Sequence, residues 1–228
     1  MQPYFLPYLG YWQLISAVDT FVVYDDIEFT KKGWINRNRY LLDGKAELFS
    51  LPLKKDSDYL QIGQRVLADT FGVEKERLVR KFEASYRKAP FYSEGMSLFK
   101  RCLETDDRKL FPYIYESILI ATSELGITTE LVISSSLDVS STLKGQDRVI
   151  ATCKALGASD YFNPVGGTSL YTKSDFAAAG INLHFQRVRP YSYPQFKHEF
   201  VPHLSIIDIV MFNGVTGTKQ LLGEMELF

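Results

Sequence analysis

The sequence contains few cysteines and histidines, and this shortage excludes several kinds of site. Its 228 residues include two cysteines, Cys102 and Cys153, and three histidines. Both cysteines fall in predicted helices, which favours small buried side chains over a disulfide framework and indicates a reducing, cytoplasmic setting. The stretch HEFVPH has one residue too many, and a proline, for the zinc motif HExxH. The sequence therefore predicts no metal ligands, and it identifies no cofactor.

Long apolar runs and an excess of charge of one sign are also missing. Lys and Arg number 26 and Asp and Glu number 27, so the chain shows no electrostatic footprint for nucleic acid or a membrane surface. No apolar run approaches a membrane span, and the first residues lack the basic flank of a signal peptide. We therefore expect a small-molecule substrate as the partner, while the oligomeric state stays open.

Apolar residues are abundant, and their spacing predicts a mixed α/β fold. They make up 46% of the chain, enough to bury a sizeable core. Strands are predicted at residues 19–26, 59–68, 129–137, 181–188 and, leading into a glycine-rich loop, 159–171. Helices are predicted at residues 11–18, 73–89, 91–104, 110–125, 144–157 and 204–214. This alternation predicts a mainly parallel, Rossmann-like sheet flanked by helices, in a single domain over residues 1–228.

Two segments interrupt the alternation of strands and helices. Residues 33–53 predict a β-hairpin with arms at 39–42 and 47–51 and a turn at Asp43-Gly44. The stretch from about 73 to 126 predicts a helical insertion.

The first segment, QPYFLPYLGYWQLI, places two prolines among aromatic residues. Proline fixes its own φ and restrains the preceding residue, so residues 2–8, the proline segment, are predicted to be stiff, extended and not helical. Such a segment could form the wall of a ligand pocket or could simply pack. We expect a wall that also packs, because α/β sheets bind ligands at the loops that follow their strands.

Polar clusters follow three predicted strands, where parallel sheets bind ligands. They are Asp25-Asp26, the serines 134–136, and Asn163 with Gly166-Gly167. Adjacent side chains on an extended strand point to opposite faces, so the two aspartates are not an obvious catalytic pair. One of them could orient a basic residue, or both could simply mark a charged strand end.

The stretch KKGWINRNR combines an indole with asparagines and arginines. Arginine binds carboxylate or phosphate, asparagine binds amides and hydroxyls, and tryptophan stacks on rings, so we favour a binding role over a plain surface arm. The stretch YSYPQF, residues 191–196, repeats the pattern of tyrosines around a proline and ends near Gln195. Two stiff aromatic segments of this kind could wall one pocket.

Five stretches in order resemble the WbqC-like family of bacterial proteins: MQPYFLPYLGYWQLI, DTFVVYDDIEFTKKGWINRNR, LGASDYFNPVGGTSLY, AGINLHF and LSIIDIVMFNG. The resemblance implies a role in surface polysaccharide (O-antigen) biosynthesis, where glycyl transfer to an aminosugar is one suggestion. It also implies a short apolar strand immediately before the Met-Gln-Pro motif, which these 228 residues do not include.

The stretches that match best hold the candidate site residues. These are Gln2, Tyr4, Asp25, Asp26, Trp34, Asn36, Arg37, Asn38, Asn163, Gly166, Gly167, Tyr171 and Asp208, to which the residue patterns add Arg39 and Gln195. A looser analogy to the HIGH motif of nucleotidylyltransferases places Tyr8 and Tyr11 near the positions of its histidines. Because tyrosine stays neutral at pH 7, adenylyl transfer is disfavoured even if the fold is shared.

Two functions fit these patterns. The first is a transferase that modifies a nucleotide-linked aminosugar with an amino-acid (glycyl) or acyl group. Trp34 would stack on a ring, Arg37 and Arg39 would hold an anion, and Asp25 or Asp26 would orient or deprotonate an amine. A carboxylate base for an ammonium group needs a raised pKa, which burial among aromatic residues would provide. The second is a non-catalytic module that binds a glycan or nucleotide-sugar beside a biosynthetic enzyme.

Overall fold

Seven α-helices and seven β-strands form the regular structure of residues 1–57 and 59–228, the part of the chain that the structure, a computed structural model, describes. The helices are α1 (Leu9–Ser16), α2 (Phe71–Tyr86), α3 (Tyr92–Leu103), α4 (Leu110–Leu125), α5 (Gly145–Ala155), α6 (Lys173–Ala178) and α7 (Ile206–Leu221). The strands are β1 (Thr20–Val23), β2 (Arg37–Leu42), β3 (Lys45–Ser50), β4 (Glu130–Ile133), β5 (Asp160–Pro164), β6 (Asn182–Val188) and β7 (Met225–Leu227). The predicted mixed α/β class is therefore confirmed.

The strands lie in three small sheets, so the described residues do not form the dominant parallel sheet that the alternation predicts. β1 pairs in parallel with β4, and β5 pairs in parallel with β6, whose other edge pairs antiparallel with β7. β2 and β3 form the predicted hairpin. Its turn residues Asp43 and Gly44 both have positive φ, 48° and 73°, as a two-residue hairpin turn of the favoured type requires.

The two parallel pairs belong to separate sheets, since β1 and β5 form no hydrogen-bonded ladder with each other. Residues of both strands line one crevice instead. Met1 forms one pair of backbone hydrogen bonds with the edge of β1. Its nitrogen donates to Val22 O at 2.7 Å, and its carbonyl accepts from Tyr24 N at 2.9 Å. This is the hydrogen-bond pattern of a parallel ladder. The loops that follow β1, β4 and β5 supply the polar residues considered below.

Three helices, α2, α3 and α4, lie between the hairpin and β4, as the periodicity of that stretch predicts. In α2 the side chains of Leu78, Phe82 and Tyr86 are buried on one face. α4 ends at Gly126, whose φ of 66° provides the left-handed residue that closes many helices. That these helices are an insertion into one domain stays a prediction.

The prediction of a strand at residues 59–68 is wrong. Ile62–Gln64 form a 3₁₀ turn instead, closed by reciprocal hydrogen bonds between Gln61 and Gln64. The backbone of Gly63 lies against Asp25, whose carbonyl accepts from Gly63 N at 2.9 Å, and a Cβ at this glycine would lie 3.2 Å from that oxygen. This close approach bends the segment. The sequence also did not predict α6 and β7, because elements of six and three residues carry little periodicity.

Aromatic rings dominate the core. Phe82 stacks on Phe99 with ring centroids 4.0 Å apart and on Tyr40 at 4.9 Å. Cys102 and Cys153 are buried, and burial raises the pKa of their thiols to about 12 and about 11, so both stay protonated, as small apolar side chains would. None of the helices in the described residues combines the length and the apolar character needed to cross a membrane.

A kink divides α7 at Gly214, which has φ 67° and ψ 175°. The kink frees the amide of Val215, and Glu94 from α3 accepts a hydrogen bond from it at 2.8 Å. A Cβ at Gly214 would lie 2.8 Å from the ring of Phe91. Both the backbone angles and the close ring therefore require glycine at this position.

We expect Gly214→Ala to lower the free energy of unfolding by about 1–3 kcal/mol, because alanine is strained at this φ and meets Phe91. Urea denaturation of the two proteins measures the change. Gly72→Ala is the matched control, because a Cβ at Gly72 in α2 would meet nothing within 4 Å. The control should be neutral or stabilising by up to about 1 kcal/mol. Equal destabilisation by both variants would contradict this account of the kink.

Candidate functional site

Hydrogen bonds to its backbone carbonyls fix the proline segment in place. Trp12 Nε1 donates to Pro7 O at 2.9 Å. Ser205 Oγ donates to Leu6 O at 2.8 Å, and the side-chain amide of Asn38 donates to the same oxygen. The three donors come from α1, from the start of α7 and from β2. The segment therefore ties three parts of the fold together.

The segment contains one strained residue and is not extended throughout. Leu6 has φ 47°, in the left-handed region that bulky residues rarely occupy. The buried amide of Asn38 fixes this turn, because its Nδ2 also reaches Phe5 O at 3.3 Å and its Oδ1 accepts from Arg39 N at 2.8 Å. Strain of this kind persists where the surroundings impose it, and it concentrates at functional sites.

A small pocket, which we call the indole pocket, opens beside the proline segment. Its volume is about 220 Å³, enough for one sugar or aromatic ring. Burial raises the pKa of the Tyr4 and Tyr8 hydroxyls above 10, so both remain hydrogen-bond donors at neutral pH. The lining residues are Tyr4, Pro7, Tyr8, Trp34, Asn38, Arg39 and His203.

The two arginines beside Trp34 have different surroundings. The guanidinium of Arg37 donates to Gly33 O at 2.7 Å and to Lys32 O, so it braces the turn before β2. The guanidinium of Arg39 lies 4.7 Å from the centre of the indole ring. No carboxylate among the residues that the structure describes lies within 4.0 Å of it. Arg39 can therefore bind a carboxylate or phosphate of a ligand.

The two aspartates that follow β1 converge on one serine, contrary to the expectation of opposite faces. The strand ends at Val23 and residues 25 and 26 lie in a bend, so strand alternation does not apply to them. Ser134 Oγ lies 2.9 Å from Asp25 Oδ1 and 2.6 Å from Asp26 Oδ1. Ser135 donates to Asp25 through its amide at 3.1 Å and its hydroxyl at 2.7 Å.

Arg148, from α5, completes what we call the aspartate cluster: Asp25, Asp26, Ser134, Ser135 and Arg148. The Arg148 guanidinium donates to Asp26 Oδ2 and lies 5.0 Å from the ring centre of Tyr24. Burial alone would raise the pKa of the Asp26 carboxyl, but hydrogen bonds from Ser134 and Arg148 lower it below 3.8. The pKa of Asp26 is thus lowered, whereas the base expected from the sequence would need a raised pKa. Asp26 therefore stays ionised at neutral pH.

The end of β5 and the loop that follows it bring a third group of polar side chains to the crevice. Asn163 Nδ2 donates to Tyr161 OH at 2.7 Å, and the ring of Tyr161 meets that of Tyr171 at 5.9 Å. A Cβ at Gly167 would lie 2.0 Å from Asn163 Oδ1, so glycine lets the loop close over this amide. At Gly166 a Cβ would meet nothing within 4 Å.

One crevice of about 1220 Å³ connects these groups. It runs between β1 and β5 and joins the indole pocket through Tyr4, Tyr8 and Trp34, which line both spaces. Of the aspartate cluster, Arg148 lines the crevice, and Asp25 and Asp26 follow the lining residue Tyr24 in the chain. The predicted site residues that line the crevice are Gln2, Tyr4, Tyr8, Trp34, Asn163, Gly166, Gly167 and Tyr171.

The structure places other predicted site residues inside the fold. Asn36 Nδ2 donates to Leu51 O at 2.8 Å and so joins the two ends of the hairpin. Gln195 and Asp208 are buried, and Gln195 Nε2 donates to Asp208 Oδ2 at 2.7 Å. None of residues 191–196 lines the indole pocket or the crevice, and His203, further along the same connection, lines the pocket instead.

Sequence reasoning did not assign four residues of the site: Ser134, Ser135, Arg148 and His203. The serines were visible as a polar cluster after a strand, but nothing linked them to the aspartates until β1 and β4 were paired. Arg148 stands in the first turn of the predicted helix 144–157, where a charged residue needs no ligand, and His203 is the last residue of the stretch HEFVPH, which does not fit the zinc motif. Within residues 1–57 and 59–228, no group of three or more His, Cys, Asp or Glu side chains could hold a metal ion.

The fold and this site define a mixed α/β protein in which an aromatic pocket with a cationic wall adjoins an anionic cluster. The chain belongs to the WbqC-like protein family, whose family model matches residues 2–220. It is similar to the Uncharacterized protein Rv1507c of Mycobacterium tuberculosis (strain ATCC 25618 / H37Rv), with 26% identity over 223 residues, 97% of this chain and 95% of that protein. No solved structure matches.

We expect Asp26→Asn to lower the free energy of unfolding by about 1–3 kcal/mol at pH 7, because it breaks charge-assisted bonds to Arg148 and Ser134. The pKa of Asp26 is lower in the folded protein than its ordinary 3.8, so this contribution is complete above that pH. It is lost as the pH falls through the folded-state pKa. Urea denaturation at a series of pH values should show the two proteins converging in acid.

The exposed pair Arg187 and Glu226, 3.8 Å apart, provides the control. Glu226→Gln should change the free energy of unfolding by about 0.5 kcal/mol or less at pH 7. A difference between wild type and Asp26→Asn that stays constant down to pH 2 would contradict the assigned role of the Asp26 charge.

Proposed function

We propose that this protein is a transferase of bacterial surface polysaccharide (O-antigen) biosynthesis that acts on a nucleotide-linked aminosugar, to which it adds an amino-acid (glycyl) or acyl group. One observation carries the proposal: the indole pocket opens into a crevice that is also lined by Arg148, which donates to Asp26, so a ring with an anionic group and an amine have complementary partners near one space. Membership of the WbqC-like family supports the glycan context.

The indole pocket holds a ring and its anionic substituent. The exposed indole of Trp34 offers a stacking face, and the Arg39 guanidinium above it offers two parallel donors to a phosphate or carboxylate. The hydroxyl of Tyr8 donates to a ring hydroxyl, and that of Tyr4, which donates to Gln2 Oε1 at 3.2 Å, accepts from one. The rigid proline segment holds these groups in place before the ligand arrives, which reduces the entropy lost on binding.

The aspartate cluster holds the amine. Asp26 is ionised at neutral pH, so it attracts an ammonium group and orients it. Before the transfer step the ammonium group gives one proton to Asp25, whose two oxygens accept from Ser135, while Asp26 keeps its charge because its pKa is lowered. The amine nitrogen then bonds to the acyl carbon, the bond from that carbon to its leaving group breaks, and the second amine proton leaves with that group.

A non-catalytic binding module is the second candidate. The observation that favours it is the aspartate cluster itself, where Ser134, Ser135 and Arg148 already occupy carboxylate oxygens of both aspartates. Such a cluster suits the orientation of an amine better than its deprotonation. The same crevice would then present a nucleotide-sugar to a partner enzyme.

Mass spectrometry and calorimetry with UDP-glucosamine distinguish the two candidates. The transferase should convert UDP-glucosamine to an amide when glycyl-adenylate or acetyl-coenzyme A is added, and Asp25→Asn should abolish product while binding persists. Binding without product with either donor supports the module. No binding of UDP-glucosamine by the wild-type protein contradicts both candidates.

We expect Trp34→Leu and Arg39→Gln each to weaken UDP-glucosamine binding about tenfold or more, because each removes a stacking or charge-assisted contact. Titration calorimetry measures the affinity. Arg187→Gln is the matched control: Arg187 also lies 4.7 Å from a ring centre, that of Phe228, but outside the crevice. Equal affinity in Arg39→Gln and Arg187→Gln would exclude the indole pocket as the binding site.

A further inference from the structure

The indole pocket brings two donor side chains together from different parts of the fold. Arg39 belongs to β2, and His203 lies on the connection between β6 and α7. Their backbones are neighbours, because the amide of Ser205, two residues after His203, donates to Arg39 O at 2.9 Å. The side chains of Arg39 and His203 therefore reach one pocket of about 220 Å³ from adjacent parts of the backbone.

Both side chains contact rings rather than hydrogen-bond acceptors. The guanidinium of Arg39 lies 4.7 Å from the centre of the Trp34 indole, and the ring of His203 meets that of Tyr8 edge to face at 5.8 Å. Among residues 1–57 and 59–228, no group accepts a hydrogen bond from the Arg39 guanidinium or from the His203 ring. Both side chains therefore keep their N–H donors for a ligand.

The charges around the indole pocket are positive. The stretch KKGWINRNR, residues 31–39, contains four cationic residues and no acidic one. The guanidinium of Arg37 lies 5.5 Å from the centre of the same indole and adds a second fixed charge close to Arg39. None of the described residues that line the pocket is acidic. A ligand group with two negative charges is therefore attracted more strongly than a group with one.

Hydrogen bonds on both sides of His203 fix its position. Before it, Gln195 Oε1 accepts from Val201 N at 2.7 Å. After it, Ser205 Oγ donates to Leu6 O at 2.8 Å. His203 itself has φ 59°, in the left-handed region, and these flanking contacts hold it there. The imidazole is thus placed at the pocket before a ligand arrives, which reduces the entropy lost on binding.

We propose that Arg39 and His203 together bind a phosphoryl group, so that the indole pocket takes the phosphate end of a phosphorylated sugar or of a nucleotide. The guanidinium donates two parallel hydrogen bonds to phosphate oxygens. The imidazole, which donates whether it is neutral or protonated, binds a third oxygen. A carboxylate offers two coplanar oxygens and one charge, which the guanidinium of Arg39 alone would occupy.

This proposal deepens the proposed function and rests on it for the remainder of the ligand. With the phosphoryl group in the indole pocket, the rest of the ligand enters the crevice, which shares Tyr4, Tyr8 and Trp34 with the pocket. The amine of a nucleotide-linked aminosugar is then directed away from the arginines, because like charges repel. It is directed towards the aspartate cluster, whose Arg148 lines the crevice.

Three ligands with related rings test the proposal. Glucose 1-phosphate carries a phosphoryl group, glucuronate carries a carboxylate and glucose carries neither. Ligand-observed NMR titrations of the full chain at constant ionic strength measure the three affinities. The wild-type protein should bind glucose 1-phosphate about tenfold or more tightly than glucuronate, because the phosphoryl group has more charge and a third oxygen. The ³¹P resonance of glucose 1-phosphate should also shift on binding.

Two histidine variants separate the site from its surroundings. His203→Gln should weaken the binding of glucose 1-phosphate about tenfold, because it removes a donor to a charged group. It should leave the affinity for glucuronate unchanged. His198→Gln is the matched control, since His198 lies on the same connection but lines neither the pocket nor the crevice. This control should bind glucose 1-phosphate and shift its ³¹P resonance as the wild-type protein does.

Several results would overturn the proposal. Binding of glucuronate as tight as that of glucose 1-phosphate would do so, as would the absence of glucose 1-phosphate binding, and neither measurement needs a variant to fold. Wild-type affinity for glucose 1-phosphate in His203→Gln would remove His203 from the site. These outcomes do not depend on the transfer reaction. A protein that binds glucose 1-phosphate through His203 but does not bind UDP-glucosamine would contradict the proposed function alone.

Discussion

The clamp on the carbonyls of the proline segment is the interaction on which the rest of the site depends. The donors of Asn38 and Ser205 meet at the single oxygen of Leu6 and hold that residue at a φ it would not adopt alone. The same contact fixes the hairpin and the start of α7 relative to α1. The tyrosines of the pocket keep their positions because this turn cannot relax.

Charge is divided between the two ends of the crevice. The indole pocket presents a guanidinium without a carboxylate partner among the described residues, whereas the aspartate cluster has two carboxylates for one guanidinium. The chain as a whole is nearly neutral, so this division is local. A ligand with an anionic and a cationic group would be oriented by it, because each end attracts one group and repels the other.

Features that depend on local periodicity are predicted correctly from the sequence. Features that depend on contacts between residues far apart in the sequence are not. The helices α2 to α4 and the hairpin were predicted within a few residues, because apolar spacing and the Asp43-Gly44 turn encode them. The turn at Ile62–Gln64 depends on Gly63 lying against Asp25, which no local pattern reveals. The convergence of Asp25 and Asp26 on Ser134 depends on the pairing of β1 with β4, whose paired residues lie 110 positions apart in the sequence, so no local pattern reveals it. Asp208 is a polar residue in a stretch that resembles the family, and its burial is visible only in three dimensions.

The two tryptophans occupy opposite environments, and this has a practical consequence. Trp12 is fully buried and bonded to the proline segment, whereas Trp34 is 38% exposed at the mouth of the pocket. The intrinsic emission of the protein therefore has a short-wavelength component from the interior and a long-wavelength component from a solvated indole. A soluble quencher reaches the second and not the first, so one spectrum reports separately on the integrity of the core and on the occupancy of the binding surface.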